Sequence, residues 1–257
     1  MAIVTLLTDS GESDHYIAAI KARIIAVDPE IRIVDISHQI RMFDIGHAAF
    51  VLRSVFREFP KGTAHLVGVD AAGNRGDVFI IAQLEGHFFV GCDNGLFSLL
   101  SDQPPEKVWE LNVSNPIMTT FPEKEIFAQT AARLATGQDP AGMGKPLTNY
   151  KRLIDRQVKA TKKQITGHII RVDHFGNLIT NIPKGAFDIL SRGKNYTIQF
   201  GGEKFRRIHS LYNQAEQGEC FIVFNNQNFL EIGIFKGNAS ELLGLNYDSV
   251  VNIIFEE

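Results

Sequence analysis

Two aspartates stand where an α/β sheet does its chemistry. Asp9 follows the apolar run Ile3–Leu7, and Asp70 follows the run Thr63–Val69. In an open parallel sheet, ligands sit beyond the carboxyl ends of the strands. A carboxylate placed there can accept hydrogen bonds from both hydroxyls of a ribose, or it can simply cap a turn or a helix. Asp70 leads into Ala71-Ala72-Gly73-Asn74-Arg75. An Asp and an Arg joined by so small a turn form an ion pair, or they hold and polarise a water. In the second case the carboxylate accepts the proton while the guanidinium favours the more anionic form. The segment after the first run is Ser10-Gly11-Glu12-Ser13 rather than a GxGxxG turn, and no GxxxxGK[ST] loop occurs. Neither a dinucleotide site nor a phosphate loop is therefore supported. There is no GxSxG elbow, and the eight histidines show no HExxH or clustered metal-ligand spacing. His38, His47, His168 and His174 read as structural or surface groups, and no metal is expected.

The elements that must carry these residues alternate in the first half of the chain. After Ile3–Leu7, Ser13 can cap a helix whose apolar face is Ile17, Ile20, Ile24 and Val27. Ile31–Ile36 is the next strand. Asp44 then caps a helix through Ile45, Ala48, Leu52, Phe56 and Phe59 that Pro60 ends, and Thr63–Val69 is the third strand. This βαβαβ order implies a parallel sheet with right-handed crossovers. Val78–Leu84 and His87–Cys92 flank Glu85-Gly86 as a hairpin, Asp93-Asn94-Gly95 makes a turn, and a helix runs from Glu123 to Ala135. Residues 138–164 read as a linker, with two prolines, two glycines and seven Lys/Arg between Lys145 and Lys163. That basic run reads as a solvated connector rather than an RNA or membrane patch, because the chain as a whole is acidic and Tyr150 alone interleaves it.

From Ile165 helical periodicity disappears. Ile165–Val172, Leu178–Ile182, Tyr196–Phe200, Cys220–Phe224, Phe229–Phe235 and Val250–Phe255 are strand-like runs between Gly/Asn turns. They imply a smaller all-β barrel or sandwich of about ninety residues. The expected layout is an α/β domain over 1–160 and an all-β domain over 161–257. Hydrophobic residues make up 44% of the 257, enough for a packed core, and 26 basic against 29 acidic side chains leave a charge of −3. An acidic balance disfavours a nucleic-acid partner. No apolar run is long enough to span a bilayer, and the opening MAIVTLLTD is not a signal peptide. Cys92 and Cys220 form no CxxC, so a cytoplasmic protein without disulfides is expected.

Several of these segments resemble one known family. Thr8-Asp9-Ser10-Gly11-Glu12-Ser13-Asp14-His15-Tyr16 resembles the TDFGxxDxY signature of the adenosine-forming S-adenosyl-L-methionine hydrolases. These are also called SAM hydroxide adenosyltransferases and are related to the fluorinase and chlorinase. Val34–His38 looks like the family's VDISH, Val69-Asp70 opens its Asp…Arg turn, and Asp93–Leu96 looks like DNGL. Thr120–Ala128 resembles TFHGRDIFAPAA, Asp173–Asn181 resembles DRFGNLITN, and Leu230-Glu231-Ile232 fits LEIA. The resemblance implies attack of water at the ribose C5′ of S-adenosylmethionine, giving adenosine and L-methionine with no further cofactor. It implies that Asp9 binds the ribose, that Asp70 and Arg75 hold the water, and that Phe121 belongs to the substrate site. It further implies that Asp173 accepts the methionine ammonium, that Asn177 with Phe175 faces the adenine, and that Asn226 stands where a serine meets the methionine end. A homotrimer with the small-molecule adenosyl ligand bound between subunits is also implied.

The chain departs from that pattern at three places. The family histidine of TFHGRD is Pro122 here, and its Gly-Arg is Glu123-Lys124. A proline side chain cannot take a proton; Glu123 is a candidate replacement. The Asp70–Arg75 turn is two residues shorter than the usual hydrolase form. The family's SSGY reads Asn226-Gln227-Asn228-Phe229, in which Asn228 tolerates a left-handed backbone. A depleted triad beside intact ligand residues leaves a second expectation, a non-catalytic binder of S-adenosylmethionine or adenosine.

Overall fold

The computed structural model describes residues 1–73, 76–113, 119–154 and 156–256. The chain divides into two compact units, Met1–Ile154 and Asp155–Glu257.

In the first unit β1 (Ile3–Thr8), α1 (Tyr16–Ile25), β2 (Arg32–Ser37), α2 (Ile45–Val55) and β3 (Ala64–Gly68) succeed one another, with β1 paired in parallel to both β2 and β3. A hairpin of β4 (Phe79–Leu84) and β5 (His87–Cys92) follows, β5 lying parallel to β3. The antiparallel β6 (Lys107–Leu111) and β7 (Gly144–Pro146) complete the order β2-β1-β3-β5-β4-β6-β7. All six residues of β1 are buried because both faces of the sheet are covered. Val4, Leu6 and Leu66 pack with Ile20 and Ile24 of α1 and with Ala131 and Leu134 of α3 (Ala128–Ala135). Leu7 and Val67, from the alternate positions of the same strands, pack with Ala48 and Leu52 of α2. Since α1 and α2 cover opposite faces, the chain reverses its direction of travel at β1. The carboxyl ends of β1 and β3 therefore flank a topological switch point, the crevice where open α/β sheets take ligands.

Three expectations for this unit need correction. Ser13 does not cap α1, which begins at Tyr16 after His15 without a side-chain cap, and Val27 lies beyond its end. The amide of Gly11 donates to the carbonyl of His38, so the intervening loop follows the strand ends instead of winding into helix. The helix expected from Glu123 opens as a π turn, Glu123–Phe127, before α3 begins. The basic linker is partly sheet: β7 pairs with β6, a close approach that Gly144 permits because a Cβ there would lie 2.5 Å from the Glu110 carbonyl oxygen. Asp44 does cap α2, its Oδ1 accepting from the His47 amide at 2.8 Å.

The second unit is one antiparallel sheet. Its elements are β8 (Lys159–Ala160), β9 (Gln164–Val172), β10 (Leu178–Pro183), α4 (Lys184–Leu190), β11 (Asn195–Phe200), β12 (Glu203–Phe205), β13 (Cys220–Phe224), β14 (Phe229–Ile234), α5 (Ala239–Leu243) and β15 (Val250–Glu256). The strands run in the order β12-β11-β15-β9-β10-β14-β13, with β8 added beside β9. Alternate residues of β9 and β15 are buried, as a sheet with one dry face requires. One core gathers Ile198, Ile253, Ile165, Leu178, Ile232 and Ile222 from strands along the whole order, with Phe205 against it. The sheet must curl to bring its two ends to one cluster, and the result is a half-barrel. The helices α4 and α5 were not expected; at seven and five residues they are too short to display a helical repeat.

Candidate functional site

Asp9 follows the last residue of β1, and its carboxylate is fixed by main chain. Its Oδ2 accepts from the amides of Phe43 at 2.9 Å and Asp70 at 3.2 Å. Both donors have left-handed backbones, Phe43 at φ 63° and Asp70 at φ 46°. Aspartate tolerates that region but a phenylalanine rarely adopts it, and such strain collects at ligand sites. Among the described residues Oδ1 of Asp9 takes no hydrogen bond, so one oxygen is anchored and the other is presented. The tip of β1 is braced from the other side. Ser10 Oγ lies 3.0 Å from Thr8 Oγ1, which lies 2.9 Å from His38 Nδ1, and His38 Nε2 stands 3.2 Å from Asp35 Oδ1.

Asp70 sits just past β3, and burial raises its carboxyl pKa. The charges of Asp9 and Asp77 add to that shift, and Lys151 opposes it. Lys151 Nζ is 2.5 Å from Asp77 Oδ1, and its amide donates to Asp93. Arg75, the expected partner of Asp70, lies outside the described residues. Phe121 is half-buried and edge-on to Tyr16, with ring centroids 5.2 Å apart. Pro122 is buried, and Glu123 follows it at the head of the π turn. A Cβ on Gly68 would lie 2.7 Å from Glu123 Cγ and 3.2 Å from Thr8 Cγ2, so the glutamate stem fills the space that glycine leaves beside the ends of β1 and β3. Burial pushes the Glu123 carboxyl up to about 7; the charge of Asp9 adds to this, and a hydrogen bond from its own amide opposes it. Its only hydrogen bond among the described residues is that internal one. Asp9, Asp70 and Glu123 thus concentrate acidic side chains at the switch point, where the charge of Asp9 makes it harder for the other two to ionise.

In the second unit a cavity of about 800 Å³ is lined by four of the expected residues, Asp173, Phe175, Asn177 and Asn226. The loop between β9 and β10 shapes it. Asp173 Oδ1 accepts from the amides of Phe175 at 2.9 Å and Asn177 at 2.8 Å, and Asn177 Nδ2 donates to Asp173 Oδ2 at 3.2 Å. Phe175 is thereby held with 73% of its surface exposed, its ring edge-on to His174 with centroids 5.7 Å apart. Asn228 is left-handed at φ 61°, in keeping with the tolerance of asparagine for that backbone.

Glu231 and Tyr212 also line this cavity and were not expected there. Glu231 is 3% exposed; burial raises its pKa, offset by hydrogen bonds from Asn225 (3.0 Å) and Tyr212. One signal could have found it, an acid inside the apolar run Phe229–Phe235, since a buried polar residue is the informative exception in a core strand. No group of His, Cys, Asp and Glu among the described residues could hold a metal, and no described helix is long and apolar enough to cross a membrane.

Residues 4–144 match the SAM hydroxide adenosyltransferase N-terminal domain, and residues 167–252 match the SAM hydroxide adenosyltransferase C-terminal domain. A protein of Methanocaldococcus jannaschii named (R)-S-adenosyl-L-methionine hydrolase is 30% identical over 98% of this chain and 96% of its own. A Thermus thermophilus protein of the same name is 28% identical over 99% of this chain and 100% of its own. Among solved structures, an uncharacterized conserved protein from Thermotoga maritima matches with a TM-score of 0.88 and 28% identity, covering 98% of this chain and 99% of that one.

Proposed function

The chain belongs to the SAM hydroxide adenosyltransferase family, and from that premise we propose that it hydrolyses S-adenosyl-L-methionine at ribose C5′ to adenosine and L-methionine. The observation that carries this reading is the Asp9 carboxylate, anchored through Oδ2 by two amides in left-handed backbone and, among the described residues, open at Oδ1. A ribose diol can donate to that oxygen. Asp70, whose amide donates to Asp9 Oδ2, is the residue we assign to hold the water that attacks the sugar's 5′ carbon, with Arg75 as its partner. The oxygen of water forms a bond to C5′ as the C5′–S bond breaks, and the bonding pair goes to sulfur. The leaving group discharges its own cation, so the protein has to aim the water and exclude solvent rather than supply strong chemistry. Phe121 belongs to the ribose side. In the second unit Phe175 and Asn177 take the adenine, while Asp173 and Asn226 take the amino-acid end.

We further propose a homotrimer in which the first unit of one subunit meets the second unit of its neighbour around the ligand. A cytoplasmic location fits the two free thiols, Cys92 and Cys220. Incubation with S-adenosylmethionine should release adenosine and methionine in equal amounts, and chromatograms no different from a buffer blank would end the proposal. Pro122, which replaces the family's histidine, favours a second reading, a binder without turnover. Calorimetric binding with no product identifies that case.

A further inference from the structure

We propose that Glu123 is the general base of this protein, the group that takes the proton from the attacking water. The inference rests on the hydrolase reading above and assigns a residue that the family pattern fills with glycine. The geometry is its first support. The π turn lifts Glu123 out of the α3 repeat, and single π turns recur at functional sites. Gly68 leaves the space its stem occupies, beside Thr8 and two residues before Asp70. Its carboxyl has no side-chain partner among the described residues and so remains available to a ligand water. Chemistry is the second support. A base works best when its pKa lies near the working pH, and burial with the charge of Asp9 holds this carboxyl at about 7.

The step balances without another reactant. Water and the sulfonium become adenosine, neutral thioether and one proton; Glu123 takes the proton as C5′–O forms and later releases it to solvent. Asp70 and Arg75 remain the residues that position the water.

The π turn packs against α1, α3, β3 and β5. The titratable or charged groups on or flanking those elements are His15, Tyr16, Lys21 and Arg23 with α1, Arg133 on α3, His65 and Asp70 with β3, and His87 and Cys92 on β5, with the Lys124–Glu125 pair on the turn itself; the outside charge that acts on Glu123 is that of Asp9, after the neighbouring β1. Burial pushes the Cys92 thiol up to about 12, far from the range in question. A base must be deprotonated to act, so kcat/KM should rise with pH through about 7 and then level off.

The test is steady-state hydrolysis from pH 5.5 to 9 for wild type, Glu123→Gln, Glu123→Asp and His15→Gln. Glu123→Gln should lower kcat about a hundredfold with KM within threefold, and its rising limb near 7 should vanish. Glu123→Asp should recover part of the rate, while His15→Gln keeps the limb. A Glu123→Gln protein with wild-type kcat and the same limb overturns the assignment and leaves the hydrolase reading intact. A wild-type chain that binds S-adenosylmethionine without turnover also overturns it, whereas a chain with neither binding nor turnover removes the hydrolase reading itself.

Discussion

The ends of β1 and β3 and the cavity of the half-barrel both gather carboxylates, yet they treat them differently. In the cavity Asp173 spends its oxygens on Phe175 and Asn177, and Glu231 is bonded by Asn225 and Tyr212. At the strand ends, Asp9 keeps one oxygen open and Glu123 bonds only to its own amide among the described residues. Satisfied acids make a rigid wall that presents an aromatic ring and amides, a surface suited to recognition. Open acids beside one another are costly in the free protein, and the cost is recovered when a cationic, diol-bearing ligand arrives. The first region should therefore control rate and the second affinity.

The most severe way to break that contrast is Asp70→Asn. It keeps the backbone amide that holds Asp9 but removes the charge proposed to face the water. We expect kcat to fall about a thousandfold, roughly 4 kcal/mol of barrier, with adenosine affinity within threefold of wild type. Retained kcat with lost affinity would move Asp70 to the binding side of the comparison. Next in size is Gly68→Ala. The new methyl meets Glu123 Cγ rather than a flexible chain end, so the carboxyl must shift. A displacement of that order should cost ten- to a hundredfold in kcat, measured beside Glu123→Gln. If the two losses add fully in the double variant, the methyl acts elsewhere.

A third prediction separates a perturbed group that is functional from one that is only buried. His65, fully buried on β3, is bonded to Thr5 Oγ1 at 2.7 Å and to His87 Nδ1 at 3.2 Å. Burial and the neighbouring His87 hold its pKa at about 3, against an ordinary 6.5. The unfolded chain therefore binds more protons between those values, and stability rises with pH across that window and is lost as pH falls through it. From pH 7.5 to pH 5 the loss from this residue is about 2 kcal/mol, near thirtyfold in the folding equilibrium. His87, also lowered by burial, acts in the same direction. His65→Asn should flatten the acid limb of denaturant midpoints while leaving the pH limb of kcat/KM in place. An unchanged acid limb would mean that other groups drive acid unfolding.

The contrast was half legible in the sequence. Strand-end aspartates follow from periodicity, because a buried parallel strand is a continuous apolar run and its end is visible as the first polar residue. The anchoring of Asp9 was not legible, since the donor at Phe43 lies 34 residues away and stands in a backbone that aromatic residues avoid. The π turn escaped notice because Glu123–Ala135 reads as one amphipathic helix, and a single wider turn leaves little trace in a 3.6-residue pattern. Strand β7 is three residues long and carries a proline, so no alternation could reveal it. The cavity was reachable through the Asp173–Asn181 resemblance, but Tyr212 enters it from a segment without pattern of its own. A residue at the end of a strand was legible; the distant donor at Phe43 and the segment that brings Tyr212 were not.

The smallest predicted effect is the one that sharpens the recognition side. Phe175 is mostly exposed on a loop pinned by Asp173, so its ring is preorganised without being part of the core. Stacking of a base on such a ring contributes about 1–3 kcal/mol. Truncation in Phe175→Ala removes the ring while leaving the Asp173 hydrogen bonds to the backbone available. The dissociation constant for adenosine, read by calorimetry, should rise about tenfold. The value of kcat at saturating S-adenosylmethionine should stay within twofold, because the lost contact holds substrate and transition state alike. A Phe175→Ala protein that binds adenosine normally but turns over slowly would reverse the division, since the ring would then be acting on the reacting centre and not on the base.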